Sequence, residues 1–271
     1  MEVVRHETEA GRWEMVTRPF LGGRIEGWSQ ETRAPVQLRE VPFPGIPIIF
    51  NLGPAWEIET SETGVQRRDS FVAGLGLGPA LVRGAATSSC IELRLTPLGA
   101  HRLLQLPMHE LTNRATALED VLPGGRDLAS RLRETHGWAA RFDLLETFLL
   151  QRMSDTEPPR TELAWSWERL VRTGGQTPIG RLADELGWSR RRLIARFREA
   201  VGLAPKAAAC VIRFDRAASA LRTGSAPPLV ELALACGYFD QAHLNRDFRR
   251  LAGTTPSAFA AGRLDSGGIA A

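Results

Sequence analysis

Between residues 12 and 98 the apolar positions come in short runs broken by Gly, Pro and Asn; beyond them the spacing lengthens to that of helices. The runs "RWEMVTRPF", "GRIEGWSQE", "GIPIIFNLG", "AWEIETSE", "DSFVAGL" and "SCIELRLTP" are β-branched or aromatic and bounded by turn residues. That pattern predicts short strands in a small sandwich or barrel. From "PLGAHRLLQLP" onward a helical period takes over, and in "GWAARFDLLETFLLQRM" Phe142, Leu145, Leu149 and Met153 fall on one face. The polar, twice-proline stretch "SDTEPPR", residues 154–160, reads as a helix end and linker. The expected class is therefore α+β, with a β-rich unit and its trailing helices over 1–155 and an all-helical unit over 161–262.

The back unit carries its own punctuation. "TELAWSWERLVRTG" starts on a threonine expected to cap it and ends at Gly174-Gly175, and "TPIGRLADELG" offers Thr177 as cap, Pro178 as first helical residue and Gly187 past the end. "SRRRLIARFREAVG" is expected to start on Ser189 and stop at Gly202, and "APKAAACVIRFDRAASALRTG" to stop at Gly224. "PPLVELALACG", "DQAHLNRDFRRLAG" and a short "TPSAFAAGR" complete it.

Two of these helix pairs are copies of each other. Ile179, Leu182, Ala183, Gly187 and Trp188 align with Leu229, Leu232, Ala233, Gly237 and Tyr238; after one inserted residue Leu193, Phe197, Gly202 and Pro205 align with Leu244, Phe248, Gly253 and Pro256. Each copy has a small residue where two helices approach, a glycine where the turn needs positive φ, and apolar residues that hold a second helix on the first. Those are the parts of a helix-turn-helix.

Charge adds a partner. The chain has a net charge of only +3, yet residues 160–271 hold 17 basic against 10 acidic residues, leaving 17 basic against 21 acidic before them. A basic module behind an acidic one is the footprint of polyanion binding at the back. Lys206 is the sole lysine, and the arginine bias fits a GC-rich bacterial source as well as bidentate recognition. In a helix-turn-helix the N-terminal part of the second helix meets base edges and phosphates. Here those positions are Ser189, Arg190, Arg191 and Arg192 in the first copy and Asp240, Gln241, His243, Asn245 and Arg246 in the second, with Arg249 and Arg250 further along. Arginine can pair with guanine, and glutamine or asparagine with adenine, so double-stranded DNA is the expected partner.

Residues 161–262 resemble the tandem helix-turn-helix domain of the AraC/XylS family of bacterial transcription regulators. The likeness rests on "IGRLADELGWSRRRLIARFREAVGLAP" and on "LVELALACGYFDQAHLNRDFRRLAGTTPSAF". Asp240-Gln241 where many members have a serine cap, and Ala260 after Phe259 in place of an arginine, depart from the pattern without harm to the fold. Ala195, where relatives carry a longer reading side chain, shifts base reading in the first copy to Arg190 and Arg191. The resemblance implies a sequence-specific transcription regulator whose two recognition helices enter successive major grooves. A linker helix of about 19 residues spans about 28 Å, near the 34 Å groove repeat. It also implies a cupin-like front unit that binds a small-molecule effector or dimerises, and it leaves room for RNA polymerase as a further partner.

The front unit says less. Trp13, Trp28 and Trp56 could line an apolar effector pocket or fill a core, and the Phe142 stripe could join two subunits or pack on its own sheet. His6, His101, His109 and His136 are scattered with no HxH pair, no nucleophile stands beside a base, and no Gly-rich phosphate loop occurs. Neither a metal, a cofactor nor an enzymatic activity is expected; the alternative is a small-molecule enzyme in the β-unit with the helices as a targeting module. Cys90, Cys210 and Cys236 read as reduced core thiols. No apolar run is long enough for a membrane span and no basic-then-apolar leader opens the chain, so a cytoplasmic protein, on the nucleoid when bound to DNA, is expected.

Overall fold

A computed structural model describes residues 1–8, 11–21, 23–224, 226–262 and 269–270. The strands are β1 (Glu2–Thr8), β2 (Gly11–Phe20), β3 (Gly23–Thr32), β4 (Val36–Glu40), β5 (Ile46–Asn51), β6 (Trp56–Thr60), β7 (Gly64–Arg68), β8 (Phe71–Ala73), β9 (Ala80–Gly84), β10 (Thr87–Leu95), β11 (Ala115–Ala117) and β12 (Ile269–Ala270). The helices are α1 (Pro97–Leu104), α2 (Leu118–Val121), α3 (Gly125–Glu134), α4 (Trp138–Ser154), α5 (Thr161–Arg172), α6 (Ile179–Glu185), α7 (Arg190–Val201), α8 (Pro205–Thr223), α9 (Leu229–Ala235), α10 (Gln241–Ala252) and α11 (Pro256–Ala261). One sheet runs β1-β2-β3-β10-β5-β8-β11 and the other β12-β4-β9-β6-β7, with antiparallel pairing in both.

The larger sheet has two different faces because side chains alternate along a strand. Ile25, Ile91, Leu93 and Leu95 point into a core shared with α1, α3 and α4. Arg24, Glu26, Trp28, Cys90, Glu92 and Arg94 point the other way, into a cavity that the smaller sheet closes. Phe142, Leu145 and Leu149 of α4 are 0% exposed within that core, so the stripe packs inside its own subunit and is not a dimer surface. Trp138 at the head of α4 lies over β3: a Cβ on Gly27 would stand 2.4 Å from its ring, so only glycine admits the contact.

All six apolar runs of the front form strands. β1, β4 and β7 were not legible in this way, because "EVVRHET", "VQLRE" and "GVQRR" mix arginine, glutamate and glutamine with few apolar residues; the five-residue β9, "ALVRG", was not legible either. Two expected caps also shift. Thr161 is the first residue of α5, behind Arg160, and α6 follows Pro178, with no side-chain cap at either. The Thr177 hydroxyl instead meets that of Thr173 at 2.8 Å.

The back helices bury their aligned apolar residues in two places. Leu182, Trp188, Leu193 and Phe197 belong to the same continuous cluster as the sheet and α4. Phe214 of α8 joins Leu232, Tyr238, Leu244, Phe248 and Phe259 in a separate cluster, touched by Val41 and Leu77 of the front. Thus the first helix pair is set against the front unit, and α8 carries the second.

Candidate nucleic-acid interface

The two helix pairs repeat each other down to single hydrogen bonds. The Trp188 amide donates to the Ala183 carbonyl at 2.9 Å and the Tyr238 amide to that of Ala233 at 2.9 Å. Gly187 and Gly237 stand in both turns at φ of +63° and +79°, a region costly for any side chain. Ser189 Oγ accepts from the Arg192 amide at 3.2 Å, and Asp240 Oδ1 from the His243 amide at 2.7 Å, so both recognition helices start on a side-chain cap as expected. α7 and α10 end at Gly202 and Gly253, both at positive φ.

What these helices present differs between the copies. On α7, Arg190, Arg191 and Arg192 are exposed, with Ala195 and Arg196 on the next turn. Arg192 sits 4.5 Å over the Trp188 ring, Arg190 lies back along Gly180, and Arg196 pairs with Glu199 at 3.0 Å. Arg191 makes no hydrogen bond, ion pair or ring contact with a described residue, which leaves its guanidinium available for a ligand. On α10, Arg246 and Arg249 are exposed, while Gln241, His243 and Asn245 are half-buried; His243 stands edge-on to Tyr238 at 5.1 Å. Arg250 has an internal job that its sequence position did not suggest. It donates to Asp247 at 3.0 Å and to the Cys210 sulfur at 2.8 Å, and the Cys210 thiol donates to Asp247 at 3.0 Å, tying α10 to α8. Burial, and then the Asp247 hydrogen bond, pushes the Cys210 thiol up to about 11, so it stays protonated.

Two features escaped sequence reasoning. Phe239, just ahead of the Asp240 cap, is 86% exposed and adds an apolar group to the start of α10. Its signal was an aromatic residue placed in a turn. The second feature joins the copies directly. Arg213 of α8 donates to the Gly175 carbonyl at 2.9 Å and lies 5.8 Å from the Tyr238 ring centre. A Cβ on Gly237 would stand 2.6 Å from Gln176. The segment before α6 is therefore wedged against the turn of the second pair, so spacing is fixed by contact as well as by the length of α8.

The front unit touches both pairs away from these surfaces. α7 packs on α1 and on the 3-10 turn Met108–Glu110, and Thr112 donates to the Gly202 carbonyl at 2.9 Å, at the opposite end of α7 from Arg190 to Arg192. Pro79 meets Gly253 beyond the end of α10.

The cavity between the sheets, partly open to solvent, has a volume of about 1040 Å³. Trp28 and Trp56 line it, edge to face at 6.4 Å, and Phe71 meets Trp56 at 6.4 Å. Trp13 does not: it stacks on His6 at 4.4 Å on the β1–β2 ribbon, although it shares a sheet face with Met15 and Trp28, which do line the cavity. The cavity wall also includes Asp215, Ser219 and Arg222 of α8, so the linker helix completes it. There Arg94 holds Glu92 through contacts of 2.6 and 3.1 Å and Glu26 at 3.3 Å; Arg24 holds Glu26 at 2.9 Å, and Arg222 stands 3.5 Å from Asp215. Burial works against the Arg94 charge, but Glu92 and Glu26 outweigh it and hold the guanidinium firmly cationic. Burial, and then Glu92, Glu26 and Glu40, pushes the Cys90 thiol well up, so it offers no thiolate to the cavity. Among the described residues no group of three or more His, Cys, Asp or Glu could hold a metal ion.

Residues 182–262 match the family described as a helix-turn-helix domain. Among solved structures the chain is similar to ToxT of Vibrio cholerae strain SCE256. An apo form of that protein carrying a single lysine-to-alanine substitution aligns over 90% of this chain and 98% of its own at 12% identity and a TM-score of 0.50. Wild-type ToxT with a bound unsaturated fatty acid aligns over 90% and 96% at 12% identity and 0.51. A search of curated sequences gives no match. Fold and repeated motif together define a helix-turn-helix protein with a β-rich unit in front. Its C-terminal part is a helix-turn-helix domain of the AraC type.

Proposed function

We propose that α7 and α10 read a single DNA site, entering two successive major grooves from one side. Arg190 and Arg191 of α7, and Gln241, His243, Asn245 and Arg246 of α10, are assigned to base edges; Ser189, Arg192, Arg249 and Arg250 are assigned to the backbone. The observation that carries this reading is the repeated turn, capped the same way twice, with exposed arginines at the start of α7 and on α10.

Residues 1–155 are assigned to regulation and 161–262 to DNA binding. The cavity is read as the effector site, a reading supported by the fatty acid carried by one ToxT structure and by the apolar, aromatic wall. Because Asp215, Ser219 and Arg222 belong to α8, a ligand that shifts them acts on the helix joining the two reading heads. No described helix is long and apolar enough to cross a membrane; work in the bacterial cytoplasm, on the nucleoid and beside RNA polymerase, follows from the proposed role. A homodimer would need a surface other than the buried α4 stripe.

Genome-wide mapping of bound DNA tests the reading. A shared motif under the recovered sites is expected, and recovery without a common sequence would contradict it.

A further inference from the structure

The two turns differ in length by one residue. Trp188 aligns with Tyr238, but the caps that follow are Ser189 and Asp240, so the second turn holds one residue more, Phe239. The fold does not use its ring. Trp188 and Tyr238 are 9% and 3% exposed and fill equivalent places in their cores, whereas Phe239 is 86% exposed. A residue just ahead of a cap often packs on the fourth residue of its helix. Here that residue is Leu244, which is 0% exposed and already covered in the cluster that holds Tyr238. The Phe239 ring meets no other ring and no guanidinium among the described residues.

Its place restricts what covers it. Phe239 stands directly before the Asp240 cap of α10, the end of a recognition helix that this motif turns toward base edges. Arg246 and Arg249, exposed on the same helix, draw a polyanion to this surface. A phenylalanine ring can neither pair with a phosphate nor exchange hydrogen bonds with a base. The major groove offers it one apolar group, the 5-methyl of thymine. At the same place cytosine presents no methyl, and its neighbouring amino donor would be left unpaired beneath the ring. Val230 and Leu234, also exposed, belong to α9, the helix that crosses the backbone in this motif and does not enter the groove.

We infer that Phe239 is a further specificity-determining residue, one that selects thymine by closing over its methyl group in the groove entered by α10. This rests on the DNA-reading function proposed above and adds an apolar reader to the polar ones assigned there.

Fluorescence anisotropy titration of the full-length protein tests it, with a duplex carrying the site recovered by genomic mapping and its thymines replaced one at a time by deoxyuridine. That replacement removes the methyl and leaves every hydrogen bond of the base. At one or two positions affinity is expected to fall about fourfold, the worth of one buried methyl. Phe239→Ala is expected to lose at least as much on the thymine duplex and to bind the thymine and uracil forms equally at those positions, as a double-mutant cycle requires of two groups in contact. Phe239→Leu should keep most of the thymine preference and Leu234→Ala all of it. Because the Phe239 ring is exposed, its variants should unfold with the parent. Uracil tolerated at every position, a uracil penalty that survives Phe239→Ala, unchanged DNA binding by that variant, or an equal loss on scrambled DNA would overturn the methyl contact and leave the DNA site standing. A protein that selects no DNA sequence would overturn the contact and the DNA reading together.

Discussion

Arg213 donates from Nη1 to the Gly175 carbonyl at 2.9 Å, so a side chain of the linker helix grips the segment that leads into the first reading pair. The same guanidinium lies 5.8 Å from the ring of Tyr238 in the turn of the second. One residue thus links the segment ahead of the first copy to the turn of the second. Arg213→Ala is expected to weaken binding to a complete site by about 1–3 kcal/mol, the worth of a charged hydrogen bond, while binding to an isolated half-site changes little. Titration of labelled full and half sites separates the two effects, and equal losses would show that Arg213 does not set the spacing.

The two turn glycines differ in their surroundings. At Gly187, with φ of +63°, a Cβ would meet nothing within 4 Å, so Gly187→Ala is expected to cost only the backbone strain, about 1–2 kcal/mol. At Gly237, with φ of +79°, the Cβ would also stand 2.6 Å from Gln176, so Gly237→Ala should cost more. Chemical denaturation of the two variants checks the order.

Base readers and backbone contacts should fail differently. Arg191→Ala and Gln241→Ala are each expected to lose about 1–3 kcal/mol on the cognate site and little on scrambled DNA. Arg249→Ala should weaken both alike and lower the salt slope by about one. Arg250→Ala should in addition destabilise the fold, because it releases Asp247 and Cys210. Binding isotherms at several salt concentrations, with thermal unfolding of each variant, distinguish these roles.

Burial raises the Asp215 carboxyl from its ordinary value, with Arg222, Arg94 and Arg24 opposing. A raised carboxyl favours the folded state while protonated, and that contribution is lost as pH climbs through its folded-state titration. Asp215→Asn, which cannot ionise, should therefore gain stability relative to the parent as pH moves from acid to neutral. Denaturation curves of both proteins at mildly acidic and neutral pH give the sign; a gap that shrinks on going to neutral pH would contradict it.

The back unit was largely legible in the sequence because its signals are local. Ser189, Asp240 and the glycines after each helix act within a few residues of where they stand, and the spacing of Leu193 and Phe197 is set by the helix itself. The cavity was not, because parity along a strand says which residues share a face but not what covers that face. Nothing local to Arg24 and Glu26 marks them as lining a cavity, which they do only because of the smaller sheet opposite. Trp13 and Trp28 are alike in the sequence, yet only one meets that sheet. The contact of Arg213 with Gly175 joins positions far apart in the chain and left no local mark.

The claim on which the rest depends is that two reading heads are held one duplex turn apart. Affinity for the site recovered by genomic mapping, measured as base pairs are inserted between its two halves, tests it most directly. An insertion of about half a turn should reduce binding to that of one half-site, since it rotates one groove away from its helix. Affinity indifferent to such an insertion would mean that the two helices do not act as one rigid reader.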